Sequence, residues 1–161
     1  MWHRAPMAKR LLLAALVVLS SGCVTAEYED ASSQPAYAGL INAEFHLREV
    51  MLIHGVTLDP NYKKVVDVYA ITPKPGIGGP EVLSREELSV GTTIRIRKVL
   101  RCINCFFGGG DELVVELPAL SRYATHRMTL GFSFGGRDIV LEDSGKTSLN
   151  PVLFERIVSA T

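Results

Sequence analysis

The sequence is poor in the residue types that build metal centres, sugar-stacking platforms and nucleic-acid surfaces. Its 161 residues include three Cys, four His and a single Trp, and 17 basic residues balance 17 acidic ones. A chain with no excess of positive charge has no general electrostatic field to attract nucleic acid. Hydrophobic residues make up 47% of the chain and charged residues 21%. These fractions are typical of one ordinary globular domain.

The sequence also lacks a hydrophobic run long enough to cross a bilayer as a helix. The apolar run at residues 11–19 would span about 14 Å at about 1.5 Å per residue, less than half of a ~30 Å hydrocarbon layer. This run follows Arg4, Lys9 and Arg10, which are the only charged residues before Cys23. A positive start, a short apolar core and small residues before a cleavage point predict an export signal.

The residues around Cys23 resemble the lipobox of bacterial lipoproteins. Small residues at 20–22 separate the apolar run from the Cys, with Ser20 at a place where the family prefers Leu. The resemblance covers the signal alone. It implies that residues 1–22 are a signal peptide and that Cys23 carries lipid chains such as palmitate, which hold a protein stably on a membrane when there are several. Val24, in place of Asp, implies sorting to the periplasmic side of the outer membrane.

The segment after Cys23 consists mostly of small and polar residues, with neither strand nor helix periodicity over residues 24–38. Such a segment predicts a flexible tether with a random-coil reach of about 20 Å. We expect the folded part to begin near Gly39. The predicted organisation is therefore a signal peptide, a lipidated Cys with its tether at residues 23–38, and one periplasmic β-rich domain at residues 39–161.

The strongest alternation of apolar and polar residues flanks residues 102–110 and predicts a hairpin. We expect Arg101 to face Glu112 and Arg97 to face Glu116 across it. That register places the apolar residues of both strands on one face, whereas a shift by one residue would bury the glutamates.

Further turn and cap signals complete the predicted fold. Gly135 and Gly136 are typical of a two-residue hairpin turn, and residues 84–88 fit the capping box of one helical turn. Asn150 as N-cap and Pro151 at the first helical position predict a short C-terminal helix. The expected fold class is mainly β (α+β), a small β-barrel or sandwich of about six mostly antiparallel strands with that short C-terminal helix.

Cys102 and Cys105 are the most specific pair of residues after the signal. Two thiols three positions apart can close a disulfide, ligate a metal or perform redox exchange. Phe106 stands where a c-type haem motif needs His, the glycines beyond it predict no helix to activate a thiol, and a second pair of zinc ligands is missing. In the oxidising periplasm we predict a structural disulfide between Cys102 and Cys105.

No set of residues in the sequence predicts catalysis. Residues 131–135 match Gly-x-Ser-x-Gly literally, but an alternating strand pattern runs through Ser133 and no helical pattern follows, so a nucleophile elbow is rejected. His46, His54 and His126 show no metal-binding spacing. We therefore predict no enzymatic activity, no metal and no cofactor.

Charged and aromatic residues of the hairpin are the candidate binding residues. Arg95, Arg97 and Arg101 form the strongest positive cluster, which either contacts an acidic partner or makes a solvated strand face paired with glutamates. Phe106 and Phe107 at the predicted tip either return into the core or form an exposed apolar contact.

These features predict a lipid-anchored lipoprotein of the cell envelope that acts as a non-catalytic binding or assembly accessory. Its expected partners are the membrane, through Cys23, and an envelope protein or surface component, with no nucleic acid. Two alternatives stay open. One is a periplasmic inhibitor or protective factor that uses residues 102–110, and the other is a redox or metal-handling protein that uses Cys102 and Cys105.

Overall fold

A computed structural model describes residues 27–104, 111–130 and 139–158. Over these ranges the chain is mainly strand and turn, with two short 3-10 helices at Pro35–Tyr37 and Ser121–Tyr123. The described strands are β1 (Tyr28–Asp30), β2 (Glu44–Leu47), β3 (Met51–Val56), β4 (Val68–Pro73), β5 (Val82–Leu88), β6 (Thr93–Cys102), β7 (Asp111–Glu116), β8 (Arg127–Leu130), β9 (Val140–Asp143), β10 (Lys146–Leu149) and β11 (Phe154–Arg156). The mainly β class is therefore confirmed. No helix in these ranges is long and apolar enough to cross a membrane.

Nine of the strands form one mixed sheet in the order β11-β2-β6-β7-β8-β4-β3-β5, with β1 paired to β6 as well. Neighbouring strands run antiparallel except β4 and β8, which run parallel. In the described parts of the chain β5 and β11 end the order without pairing to each other, so the expectation of a closed barrel is wrong. β9 and β10 form a separate two-stranded sheet.

The main hydrophobic core packs against one face of the large sheet. Alternate residues of its central strands are at most 2% exposed and belong to one cluster: Ile53, Ile71, Ile96, Leu113 and Leu130. This arrangement follows from the period-two alternation of side chains along a strand. The same cluster includes residues from segments outside the nine strands, namely Tyr37, Leu40, Leu149 and Leu153. Those segments therefore share one core with the sheet.

The predicted C-terminal helix is wrong, because the chain forms strand β11 there. Asn150 does cap a turn, since its Oδ1 accepts a hydrogen bond from the Val152 N–H at 2.9 Å. The chain then pairs antiparallel with β2, with Phe154 opposite Leu47. Leu153 and Phe154 are buried by this pairing. Tertiary burial therefore overrides a short local helix signal.

The folded part begins before the predicted boundary at Gly39. Tyr28 to Asp30 pair with the last residues of β6, and Ala31 and Tyr37 are buried. The three residues of β1 are polar or only partly buried, so hydrophobic periodicity does not reveal this strand. The expected tether through residue 38 is therefore wrong for the residues from Tyr28 onward.

The hairpin of β6 and β7 exists, but its predicted register is wrong. Arg101 pairs with Asp111 and Leu100 with Glu112, whereas Arg95 pairs with Glu116. The register shifts between Ile96 and Lys98, which is a β-bulge. An extra residue in one strand changes which face the later residues occupy. Val99 therefore joins Ile96 in the core cluster.

Two other turn predictions have different outcomes. Residues 84–88 lie in β5, where they pair with β3, so the predicted helical turn is wrong. Gly135 and Gly136 lie outside the described residues. The described turn from β9 into β10 contains Ser144 and Gly145, which have φ values of 49° and 75°. Positive φ at both central residues suits a tight hairpin turn of right-handed twist.

Candidate functional site

A cleft of about 670 Å³ opens where β2, β6 and the C-terminal strand meet the chain that leads into β2. Its lining residues are Ala38, Gly39, Ile41, Asn42, Ala43, Glu44, Arg95, Arg97, Arg156, Ile157 and Val158. Three of these side chains are arginines and one is a glutamate. The lining therefore carries an excess of positive charge in a chain that is neutral as a whole.

Ion pairs hold two of the arginines in place. Arg95 donates from Nε to Oε1 of Glu44 at 2.9 Å and from Nη1 to Oε1 of Glu116 at 2.8 Å, while Arg97 donates from Nε to Oε2 of Glu116 at 2.7 Å. Hydrogen bonding to Glu44 raises the pKa of Arg95 above its usual value. These side chains are partly exposed, so each pair contributes little to stability. Their main effect is to fix the guanidinium groups at the cleft.

Arg97 follows Arg95 by two residues in β6, so both side chains lie on one face of the strand and line the cleft. Because Arg97 has no opposite residue in β7, it interrupts the alternation that separates the two faces of the strand. Its Nη1 lies 3.4 Å from Oδ1 of Asn42, a weak hydrogen bond, and 46% of its side chain is exposed. The Arg97 guanidinium is therefore accessible to a ligand.

Arg156 supplies the third guanidinium. It lies on β11 opposite Phe45 and is exposed, and a Cβ placed on Gly39 would lie 3.9 Å from its Nη1. Arg156 forms no ion pair with any residue that the structure describes. A neighbouring cavity of about 530 Å³ shares Arg156 and adds Lys146, which likewise has no ion pair within those residues. Two basic side chains without an ion pair among the described residues therefore lie close to this cleft.

Arg101, which the sequence groups with Arg95 and Arg97, lies elsewhere. It donates from Nε to Oδ1 and from Nη2 to Oδ2 of Asp111, at 2.9 and 2.8 Å. The Tyr37 hydroxyl donates to the same carboxylate, whose pKa is raised by burial and by nearby Glu142. A bidentate pair of this kind satisfies the guanidinium. Arg101 therefore connects the ends of β6 and β7 and is separate from the cleft.

The remaining predicted site residues are only partly described. Cys102 ends β6 opposite Tyr28, while Cys23, Cys105, Phe106 and Phe107 lie outside the described residues. The lipid attachment, the Cys102–Cys105 disulfide and the aromatic contact therefore stay predictions. The Gly-x-Ser-x-Gly segment also lies outside the described ranges.

The three histidines after the signal lie on different parts of the fold. His46 Nδ1 is 3.2 Å from the Thr93 hydroxyl, and His126 is beside Thr125. His54 is fully buried, and its Nε2 is 3.1 Å from the Thr72 hydroxyl. Burial, with Arg85 nearby, lowers the pKa of His54. Among the described residues, His, Cys, Asp and Glu form no group of three able to hold a metal ion.

The sequence missed Arg156 and the cleft as a whole. The local pattern predicts a helix at Arg156, and nothing in it indicates that β11 pairs with β2. Comparison of the chain with protein-family models, with curated proteins and with solved structures gave no match. The site must therefore be interpreted from its own chemistry.

Proposed function

We propose that the protein is a lipid-anchored, non-catalytic binding protein of the cell envelope, and that its cleft binds an anionic group of an envelope component. The observation that carries the binding role is Arg156, a guanidinium without an ion-pair partner among the described residues, at a cleft that also exposes Arg97. The cellular location is supported by the export signal and by the lipobox resemblance at Cys23.

Phosphate is an anionic group whose chemistry fits the donors that the cleft leaves free. A guanidinium is planar and presents paired N–H donors that match two oxygens of a phosphate or carboxylate. Arg97 already uses Nε for Glu116, and its Nη1 makes only a weak contact with Asn42. Arg97 and Arg156 therefore retain donors for a ligand with several oxygens.

Glu44 and Glu116 reduce the positive charge that the cleft offers to an anionic ligand. Both carboxylates bind Arg95, and Glu116 also binds Arg97. They hold the arginines in position and reduce the local positive charge. A ligand must therefore bind chiefly through Arg156 and the free edge of Arg97, so the proposal predicts that Arg156 is the most sensitive position.

The test is a titration of the ¹⁵N-labelled domain, with Cys23 replaced by Ser, with inorganic phosphate and then with a phosphate monoester. We expect the Nε–H signals of Arg97 and Arg156 to shift, and Arg156→Gln to weaken binding about tenfold, since a hydrogen bond to a charged group contributes roughly 1.5 kcal/mol or more. Arg122→Gln is the matched control, because Arg122 is an exposed arginine paired with Glu86 away from the cleft.

Equal weakening by Arg122→Gln would show that phosphate responds to net charge alone, and the cleft would not be the site. An absence of any shift at Arg97 and Arg156 in the wild-type sequence would also contradict the binding role. A larger response to the monoester than to inorganic phosphate would indicate that the rest of the cleft contacts the ligand too.

A further inference from the structure

The point at which the anchor joins the domain is close to the first strand. Only residues 24–27 separate Cys23 from Tyr28, the first residue of β1. Five fully extended steps of the chain span at most about 18 Å. Cys23 therefore lies within about 18 Å of Tyr28, at the start of β1.

Hydrogen bonds fix that end of the chain to the end of β6. The Glu27 N–H donates to Oδ1 of Asn104 at 2.7 Å, and the Ile103 N–H donates to the Glu27 carbonyl at 3.0 Å. Tyr28 then pairs with Cys102. The chain is therefore held to residues Cys102–Asn104 immediately after the short connection, so a long free linker does not separate the anchor from the sheet.

An apolar side chain is exposed at the same place. Ile103 is 56% exposed although it is a large hydrophobic residue, and it follows directly after β6. A single exposed apolar residue is common on soluble surfaces. Here the connection to Cys23 places it within reach of a bilayer, where an apolar side chain is stabilised at the boundary of headgroups and acyl chains.

We propose that the end of the sheet formed by Glu27, Tyr28 and Ile103 lies against the lipid bilayer, with Ile103 at the boundary of headgroups and acyl chains. This orientation rests on the proposed lipid attachment at Cys23. Glu27 and Glu29 are exposed at this end, and the Arg127 guanidinium lies 5.2 Å from the Tyr28 ring centroid, so the contact is with zwitterionic headgroups rather than with a strongly anionic surface.

The proposed orientation also determines where the cleft lies relative to the bilayer. Arg97 lies five residues before Cys102 in β6, which is about 16 Å along a strand at about 3.3 Å per residue. With β6 along the bilayer normal, the proposed orientation places the cleft on the aqueous side of the membrane contact.

The chain offers a clean optical test. Trp2 is the only Trp and belongs to the predicted signal peptide, so the processed protein has none. Ile103→Trp places one indole at the proposed contact. Val90→Trp is the matched control, because Val90 is 58% exposed and lies in the turn before β6, at the opposite end of that strand.

Each variant is purified with its lipid, reconstituted into phosphatidylcholine vesicles that contain acyl-brominated lipid, and examined by fluorescence. We expect the Trp at position 103 to be blue-shifted and quenched several-fold more strongly than the Trp at position 90. Equal, weak quenching of both variants on vesicles, with palmitate present on Cys23, would overturn the orientation and leave the lipid anchor intact. Failure of the wild type to incorporate palmitate would overturn the anchor, and the orientation with it.

Discussion

Arg97 has no opposite residue in β7, and its Nε instead donates to Oε2 of Glu116 at 2.7 Å. The bulge at this position changes the face on which the second half of β6 packs, so Val99 joins Ile96 in the main core cluster. Arg97 shares a face with Arg95 by ordinary strand alternation, and both line the cleft. The residue at which the hairpin register shifts is therefore also a residue of the candidate site.

Replacement of Arg97 should affect binding more than folding. We expect Arg97→Gln to change the free energy of unfolding by less than about 1 kcal/mol, because the ion pair with Glu116 is partly exposed. Phosphate affinity should fall, since a donor of the cleft is lost. Urea unfolding and phosphate titration of the same variant measure the two effects. A large loss of stability with unchanged phosphate affinity would show that the Arg97–Glu116 ion pair stabilises the fold and does not bind the ligand.

Because Leu113 is buried and Leu58 is exposed, replacing each by Ala should lower the free energy of unfolding by different amounts. Leu113→Ala should lower the free energy of unfolding by about 2–5 kcal/mol, because Leu113 is 1% exposed within the main cluster. Leu58→Ala should change it by no more than about 0.5 kcal/mol, because Leu58 is 59% exposed. Chemical denaturation compares them. Similar costs for both variants would contradict the described packing.

Buried His54 should make the fold sensitive to acid. Burial first, and Arg85 second, lower the pKa of His54 from its usual 6.5, so the unfolded chain binds a proton at pH values where the folded chain does not. The free energy of unfolding should therefore fall as the pH drops through 6.5 towards the folded-state pKa, and the contribution should be complete above 6.5.

The matched variant for this effect is His54→Gln, which keeps a polar side chain near Thr72 without the titration. We expect the loss of stability between about pH 7.5 and about pH 5 to be smaller in the variant than in the wild type. Urea unfolding at both pH values provides the measurement. An identical pH dependence in both proteins would show that His54 does not carry the effect.

The predicted Cys102–Cys105 bridge closes a very short loop, so its thermodynamic effect should be small. We expect thiol titration of the denatured, unreduced protein to detect neither thiol, and reduction to lower the free energy of unfolding by about 2 kcal/mol or less. Two reactive thiols in the native protein would favour the redox or metal-handling alternative.

Phe106→Ala and Phe107→Ala distinguish the two roles predicted for the aromatic pair beside that bridge. Loss of stability with unchanged partner binding would assign the rings to the core, whereas the reverse would make residues 102–110 a contact site. A stable double variant that binds its partner fully would remove this segment from the functional hypothesis and weaken the inhibitor alternative.

The sequence predicts the strand class well because alternation is a local property. Ile94 and Ile96 lie two positions apart in β6, as Leu113 and Val115 do in β7, and the structure pairs these strands antiparallel. The register between β6 and β7, in contrast, depends on contacts with distant parts of the chain. The bulge at Arg97 depends on how Ile96 and Val99 both reach the core, which no pattern of neighbouring residues expresses.

The terminal elements show the same limit. Asn150 and Pro151 are a sound helix start, and the chain does turn there, but the pairing of Phe154 with Leu47 decides the outcome. Residues 84–88 likewise carry a capping-box pattern and become a strand on β3. Long-range partners override weak local preferences in both places. Arg156 was missed as a site residue for this reason.

The central claim is that Cys23 is the lipid attachment site, since both the location and the orientation depend on it. The direct measurement is radiolabelled palmitate incorporation into the wild type and into Cys23→Ser, followed by membrane fractionation. The account predicts label and membrane association in the wild type, and a label-free Cys23→Ser that leaves the detergent-extractable membrane fraction. A Cys23→Ser protein that remains labelled and membrane-bound would contradict it.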